Sequence, residues 1–420
     1  MSPLELLRRA AAPFAELRGR VLWIVVGGLI CQFGLGYGYV YGHVQTDITE
    51  ELGWARATFS SARIPLMVMM SIASPLVGFA FLRFGVRPIL VISVVLLFSA
   101  TTVLSSIQEL WHFWAAAGLQ GLAAVGVGDV VVGAVVTQWV VRGRGLALGI
   151  VYSGANLAGT LLSLGVPRLS AVLGWREALF IAGLVGAAVM LPFAAWILRA
   201  PRPGERSAEH EDAELLEQTS EDDLDVWQAM RTRSFWILCF ALSSFFFIFV
   251  GAIDHLVPAM RDRGLDGTSA GDLFALVTGS AIVSKIGFGV FTDWLGDHRR
   301  SMWIQSGVFA ASSALLYSVP TSWMTPIVLI AFGLSTAARD VIYPLIIDYC
   351  FGPRYLAQIY GAIMGMLWSG AVGTLFAGAI FDRLGSYDLA FHTSGALAIA
   401  AFFAVLFLRN ERPSALPTRR

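Results

Sequence analysis

The chain has 420 residues, of which 56% are hydrophobic and only 14% charged, and its mean hydropathy is +0.69. Soluble domains carry about a quarter of their residues as charges, so the composition excludes a soluble globular protein and predicts an integral membrane protein whose constant partner is lipid. The formal charge is zero, from 29 basic and 29 acidic residues, which argues against a nucleic-acid partner.

Apolar segments of about 20 residues, long enough to cross about 30 Å of hydrocarbon as helix, recur near 21–44, 59–82, 87–107, 112–139, 145–168, 176–198, 234–258, 270–292, 301–320, 324–350, 357–381 and 386–408. The expected fold class is therefore an all-α membrane protein with twelve transmembrane helices. With both termini in the cytosol, loops and tails on that side hold twenty arginines against six on the other, and the positive-inside rule selects this orientation. The first segment follows an arginine-bearing start without a small-residue cleavage pattern, and is expected to be a retained helix rather than a signal peptide. Cys31, Cys239 and Cys350 all fall within helices and imply no disulfide framework.

The longest polar stretch, 199–233, contains Pro201, Pro203 and an acidic run from Glu205 to Asp225. It reads as a cytosolic linker with a short surface helix around 222–230, dividing the chain into six-helix bundles at 1–198 and 234–420. The halves form an internal repeat: Gly53 and Gly264, Gly78 and Gly289, Gly85 and Gly296, Gly174 and Gly385, and Phe180 and Phe391 all differ by 211. Two such halves with substrate at their interface are an architecture for alternating access.

These residues resemble the major facilitator superfamily over essentially the whole chain. Its signature loop, Gly-x3-Asp-Arg-x-Gly-Arg, compares with Gly78 to Arg87 here, and again with Gly289 to Asp297; the first copy lacks the aspartate and the second the arginine. The resemblance implies cytosolic gating by Arg83, Arg87 and Asp293, with Arg142 and Arg144 in the matching loop after helix 4. A narrower similarity, to the monocarboxylate transporter and oxalate:formate antiporter group, is carried by four patches: Gly53 to Ala57, Trp139 to Ile150 with Ser153, Gly154 and Gly159, His255 to Pro258 ending helix 7, and Gly378 to Tyr387.

Charges inside the membrane are costly, so they are usually retained for substrate or ion work. Lys285, the only lysine of the chain, lies within the segment 270–292, where the group's resemblance implies a basic residue meeting a substrate carboxylate. The aspartate and helix 1 lysine that accompany it in animal members are missing: Ala281 stands at the first position, and helix 1 has no lysine. Asp129 and Asp340 also differ by 211, and become the candidates for proton coupling or for structural ion pairs. Arg339 adjoins Asp340, and neighbouring helical side chains diverge by about 100°, so the two are not expected to enter one cavity together. With Arg339 and Tyr343 facing the cavity, Asp340 would turn to a neighbouring helix or to a base such as Arg63.

Weaker candidates follow. Asp254 and His255 could relay protons near the outer end of helix 7, or His255 could face the surface. Tyr37 and Tyr41, one turn apart in a run with Tyr39 and His43, could line the cavity or anchor at the interface; Asn156 could contact substrate or bond to another helix. Gly361, Gly365, Ser369, Gly373 and Ala377 form a small-residue seam on helix 11, suited to close packing or sliding. The sequence has no nucleotide loop, metal-ligand cluster, cofactor motif or nucleophile motif, so an enzyme is not expected. The expectation is a monomeric secondary transporter of small organic anions, monocarboxylates foremost, in a cell membrane such as the bacterial inner membrane. Protons would travel with the anion, or a second anion against it. A carrier of a larger or neutral metabolite or of a xenobiotic is the alternative, and a non-transporting sensor the remote one.

Overall fold

The computed structural model describes residues 18–140, 144–201, 223–319, 323–352 and 355–412, and among these there are helices and no strand. Lipid offers no hydrogen bonds to a backbone, so near-continuously apolar segments close their bonds within themselves as helices. The long helical segments are α1 (Gly19–Leu52), α2 (Arg63–Phe84), α3 (Val86–Ser105), α4 (Leu110–Val136), α5 (Arg144–Leu173), α6 (Trp175–Ile197), α7 (Arg233–Asp262), α8 (Gly267–Leu295), α9 (His298–Leu315), α10 (Thr325–Phe351), α11 (Gln358–Leu384) and α12 (Asp388–Val405). Ten of these are by length and composition able to cross a membrane, and α2 and α9 complete the expected twelve.

Three helices differ from expectation. First, α7 does not end at Pro258 but continues one turn to Asp262, because neighbouring groups can satisfy the carbonyl that a proline leaves free. Likewise α1 runs past residue 44 to Leu52, carrying Asp47, Glu50 and Glu51. Finally, α4 is interrupted: one helix ends at Gly126 and the next begins at Asp129. Elsewhere the helices tighten without breaking, in 3-10 stretches at Tyr37–Tyr39 of α1 and Gly365–Trp368 of α11.

The described residues form two compact units: unit 1 holds 18–44 and 64–201, and unit 2 holds 45–63 and 223–412. The 211-residue repeat appears in the backbone itself. Gly53 and Gly264 have φ of 66° and 97°, Gly85 and Gly296 of 76° and 65°, and Gly174 and Gly385 of 88° and 68°. Side chains with a Cβ rarely adopt this left-handed region, so the repeated glycines mark matching chain reversals. The short helix Val226–Met230 falls inside the expected 222–230, capped by Asp225, which accepts from the Gln228 amide at 2.8 Å.

Small residues set the helix separations. In unit 1, a methyl group on Gly154 of α5 would lie 2.0 Å from the Leu29 carbonyl oxygen of α1. In unit 2, one on Gly333 of α10 would lie 2.1 Å from the Val277 carbonyl oxygen of α8, and one on Gly373 of α11 would lie 1.9 Å from that of Phe247 in α7. The seam on α11 is thus divided: Ser369 and Gly373 meet α7, with the Ser369 hydroxyl donating to the Ser243 carbonyl at 2.9 Å, whereas Gly361 and Gly365 have open space above them.

Candidate functional site

In unit 2, α8 and α10 are fastened along their length. The Ser284 hydroxyl donates to the Leu334 carbonyl at 2.6 Å and the Ser280 hydroxyl to the Ile330 carbonyl at 3.2 Å, beside the close approach at Gly333. One residue beyond Ser284, Lys285 places Nζ 2.9 Å from Asp340 Oδ2, while Arg339 places Nη2 2.7 Å from Asp340 Oδ1. A single carboxylate therefore receives two cations. Their side chains are 10% exposed for Lys285, 23% for Asp340 and 11% for Arg339, so the group is largely withdrawn from water but not sealed.

Arg339 is held from several sides. Its guanidinium lies 4.9 Å and 5.1 Å from the ring centres of Phe245 and Phe246 on α7, within cation–π range. It also donates to the Tyr360 hydroxyl of α11 at 3.5 Å. Tyr343 is buried and shares with Arg339, Gln305 and Phe309 a void of about 20 Å³, the size of one water rather than of a metabolite.

Of the two partners expected for Asp340, it meets the neighbouring helix, through Lys285 of α8, and not Arg63; it also stays with Arg339, which was expected to part from it. Adjacent Cα–Cβ directions do diverge, but the long arginine side chain folds back to its neighbour. Arg63 is engaged elsewhere: its Nε donates to Asp254 Oδ2 at 2.8 Å, and its Nη2 bonds the other oxygen.

That second ion pair belongs to a cluster holding residues 45–63, hereafter the strap. The Thr374 hydroxyl of α11 donates to Asp254 at 2.8 Å. His255 has no exposed surface, so it does not face outward. Its Nε2 lies 2.9 Å from the Thr374 carbonyl, which can only accept, so Nε2 carries the proton and Nδ1 accepts from the Tyr387 hydroxyl at 3.0 Å. Tyr387 in turn accepts from Arg56 Nη1 at 2.7 Å, and burial pushes its phenol above the usual range, so it stays protonated. Arg56 also forks onto Asp262 at 2.6 and 2.7 Å and lies over the Phe381 ring. Asp382 accepts from the backbone amides of Arg56 and Ala57 at 3.0 and 2.9 Å, fixing the start of the short helix Arg56–Ser60, and Arg261 bonds Asp47 at 2.8 Å. Three of the four patches behind the narrower resemblance, Gly53 to Ala57, His255 to Pro258 and Gly378 to Tyr387, thus meet in one place.

The remaining candidates lie in unit 1. The Tyr37 hydroxyl donates to the Ala182 carbonyl at 2.5 Å, and Tyr41 packs against Phe113 with ring centres 5.8 Å apart. Both tyrosines are buried, which corrects the expectation of cavity lining or interface anchoring: they are core residues. Asn156 donates through Nδ2 to the Tyr39 hydroxyl at 3.2 Å, a bond between α5 and α1. Asp129 opens the second part of α4 and accepts from Gln32 Nε2 at 3.0 Å. Arg83 is exposed over the Phe84 ring, and Arg87 donates to the Trp196 carbonyl at 3.3 Å. Arg142 lies outside the described residues, as do the side chains of Arg144 and Asp293.

Sequence reasoning missed Gln32, Tyr360, Asp262 and Thr374. Gln32 had a usable signal, a lone amide in an apolar run. Thr374 had none, since threonine within a membrane helix usually bonds its own backbone.

Comparison with known proteins gives the family and the fold. The chain is 26% identical to monocarboxylate transporter 11 of Homo sapiens over 94% of its length and 84% of the relative. It is also 26% identical to a gentisate transporter of Corynebacterium glutamicum, over 94% and 89% respectively. Among solved structures, the nucleoside transporter NupG superposes with a TM-score of 0.71 at 12% identity, covering 92% of this chain and 99% of that one, which supports the fold alone. The model of the Major Facilitator Superfamily matches residues 26–372, most of the chain, and the protein belongs to this superfamily of multi-pass membrane transporters of small organic molecules.

Proposed function

We propose that the protein carries small organic anions, monocarboxylates foremost, by alternating access of its two halves, with protons co-transported or a second anion exchanged. The observation behind this reading is the sharing of Asp340 by Lys285 and Arg339. A substrate carboxylate can be met by the same two donors that hold the Asp340 carboxylate, and a neutral cargo offers them no such group. The two relatives above are named for carboxylates, which supports the same reading.

Coupling follows from competition. An ionised Asp340 occupies the donors that a substrate carboxylate needs; a protonated Asp340 holds them less strongly and frees them for the anion. Proton and substrate then load together and leave together. Asp129, at the equivalent place in the first half, is the second proton-carrying candidate, and Asp254 and His255 are weaker ones because their bonds are already filled. Arg83, Arg87, Asp293, Arg142 and Arg144 remain the proposed cytosolic gate. The division 1–198, 199–233 and 234–420, a monomer, and a bacterial inner-membrane setting belong to the same proposal.

The test is uptake by the purified protein in lipid vesicles, with labelled lactate, pyruvate, acetate, oxalate, formate and a hydroxybenzoate, with and without an inward proton gradient. Accumulation of one or more acids, inhibited by unlabelled acid, is the expected result. Transport of neutral metabolites alone would overturn the reading.

A further inference from the structure

We infer that Gln32 is the positioning residue of a proton-accepting site at Asp129, built where the interrupted α4 meets α1 in unit 1. The inference rests on the proton-coupling reading of Asp129 and adds the residue that makes the site work.

One of the two helices loses regular structure at this point. In α1 the helical course continues through Gln32, whose backbone is right-handed helical and whose N–H bonds the Gly28 carbonyl at 3.0 Å. In α4 the break is Val127–Gly128, and Asp129 is the first residue of the nine-residue helix Asp129–Thr137. Discontinuous membrane helices are where transporters place coupling-ion sites, because the break frees polar groups at mid-membrane depth. Here the break in α4 is joined to α1 by the bond from Gln32 Nε2 to Asp129 Oδ1 at 3.0 Å. Room for Gln32 comes from Gly154, where a methyl group would crowd the Gln32 Cβ at 3.0 Å.

The second observation is independent of that bond. Gln32 has no exposed surface, and its Oε1 has no hydrogen-bond partner. A buried amide oxygen without a donor is costly and uncommon, and a purely structural glutamine would be expected to fill both ends. The open acceptor has a use when Asp129 takes up a proton. The carboxyl then becomes a donor, and a half-turn of the amide brings Oε1 to the place of Nε2. One side chain thereby serves both states, donating to the carboxylate and accepting from the acid. The step balances simply: one proton from water adds to one carboxylate oxygen, one O–H bond forms, and one negative charge is lost; release reverses it.

Ionisable groups on the segments packed against Asp129–Thr137 are Arg20 and Cys31 on the Gly19–Cys31 part of α1, His112 in the first part of α4, and Arg144, Tyr152 and Arg168 on α5. Tyr152 donates to the Asp129 backbone carbonyl at 3.3 Å, not to its carboxylate.

The test is an infrared titration of the purified, lipid-reconstituted protein, following the carboxylic-acid carbonyl band from about pH 5 to about pH 9 with no substrate present. Wild type is expected to show a titrating band that Asp129→Asn removes. Gln32→Leu, which keeps bulk but neither hydrogen bond, is expected to move its midpoint by about one pH unit, a tenfold change in proton affinity. A second pair of variants covers a folding failure of Gln32→Leu. Gln32→Asn with Asp129→Glu shifts one methylene across the bond, and is expected to restore the wild-type midpoint that Asp129→Glu alone loses. A Gln32→Leu midpoint equal to wild type, or no restoration in the double variant, overturns the role of Gln32. A wild-type protein with no band sensitive to Asp129→Asn overturns instead the proton-coupling reading beneath it.

Discussion

Unit 2 contains two groups of intramembrane or buried charges that look alike in the sequence and differ in their arithmetic. In the strap cluster, Arg63 has Asp254, Arg56 has Asp262, Arg261 has Asp47, and Asp382 spends its oxygens on backbone amides. Each cation there has a carboxylate of its own. Around Asp340, two cations share one carboxylate. Matched charges in low dielectric hold a segment in place, since either partner alone would be stranded. Cations gathered on one shared carboxylate present donors that a second carboxylate can use. The strap cluster accordingly reads as a fastening, and the Asp340 group as a site.

The largest expected effect lies in the Asp340 group. Lys285→Ala should lower anion transport by at least about a hundredfold, the scale of a lost charge-to-charge contact out of water, while the protein still inserts and folds. Lys285→Arg should retain part of the activity, because charge persists although the shape of the donor changes. Initial uptake rates in vesicles check this; wild-type rates in the alanine variant would remove Lys285 from the site.

Next is Asp340→Asn. An amide of the same size cannot take up a proton, so net accumulation driven by a pH gradient should be lost while exchange of internal for external anion continues. Exchange and accumulation measured on the same vesicles separate the two. Normal accumulation would make Asp340 a structural partner of Lys285, and the contrast with the strap cluster would disappear.

The strap cluster is expected to respond in stability. Arg63→Ala leaves Asp254 buried without its partner, at a cost of roughly 3–5 kcal/mol. Replacing both, Arg63→Met with Asp254→Leu, should restore much of that loss, because no charge is left stranded. Thermal or chemical unfolding of the purified variants tests the pair. If the double variant is no better than the single one, the ions are needed for more than mutual neutralisation.

How much of this was legible beforehand depended on the range of the signal. Hydropathy runs announced the twelve helices, and glycines spaced by 211 announced the repeat because both act locally, through lipid burial and through left-handed φ. Lys285 stood out because a lone lysine in an apolar run has a local cost. The partner of each charge was not local. For Asp340 a neighbouring helix and Arg63 both stood open, and the answer depended on how closely Gly333 lets α10 approach α8 and on the reach of an arginine side chain. Tyr37 and Tyr41 misled for a similar reason: spacing of four residues specifies a shared face but not what that face meets, and here it meets α6 and Phe113. The break at Gly128 carried no proline to mark it, so helix periodicity passed over the point where Asp129 meets Gln32.

The smallest expected effect sharpens the comparison at its least charged point. Asp382 neutralises no arginine; its two oxygens accept from the backbone amides of Arg56 and Ala57, as an N-terminal cap does. Loss of such a cap costs about 1 kcal/mol, with a range of roughly 0.5–2, well below the cost of stranding Arg63 or Asp254. Asp382→Asn keeps one acceptor oxygen and should forfeit only part of that amount; Asp382→Ala should forfeit all of it. Both should leave substrate affinity unchanged, since nothing in the Asp340 group is touched. A loss near that of Arg63→Ala would mean that the fastening acts as one network through Arg56, Tyr387 and His255 rather than as separate bonds, and a double-mutant cycle between Asp382→Ala and Arg63→Ala would measure that coupling directly.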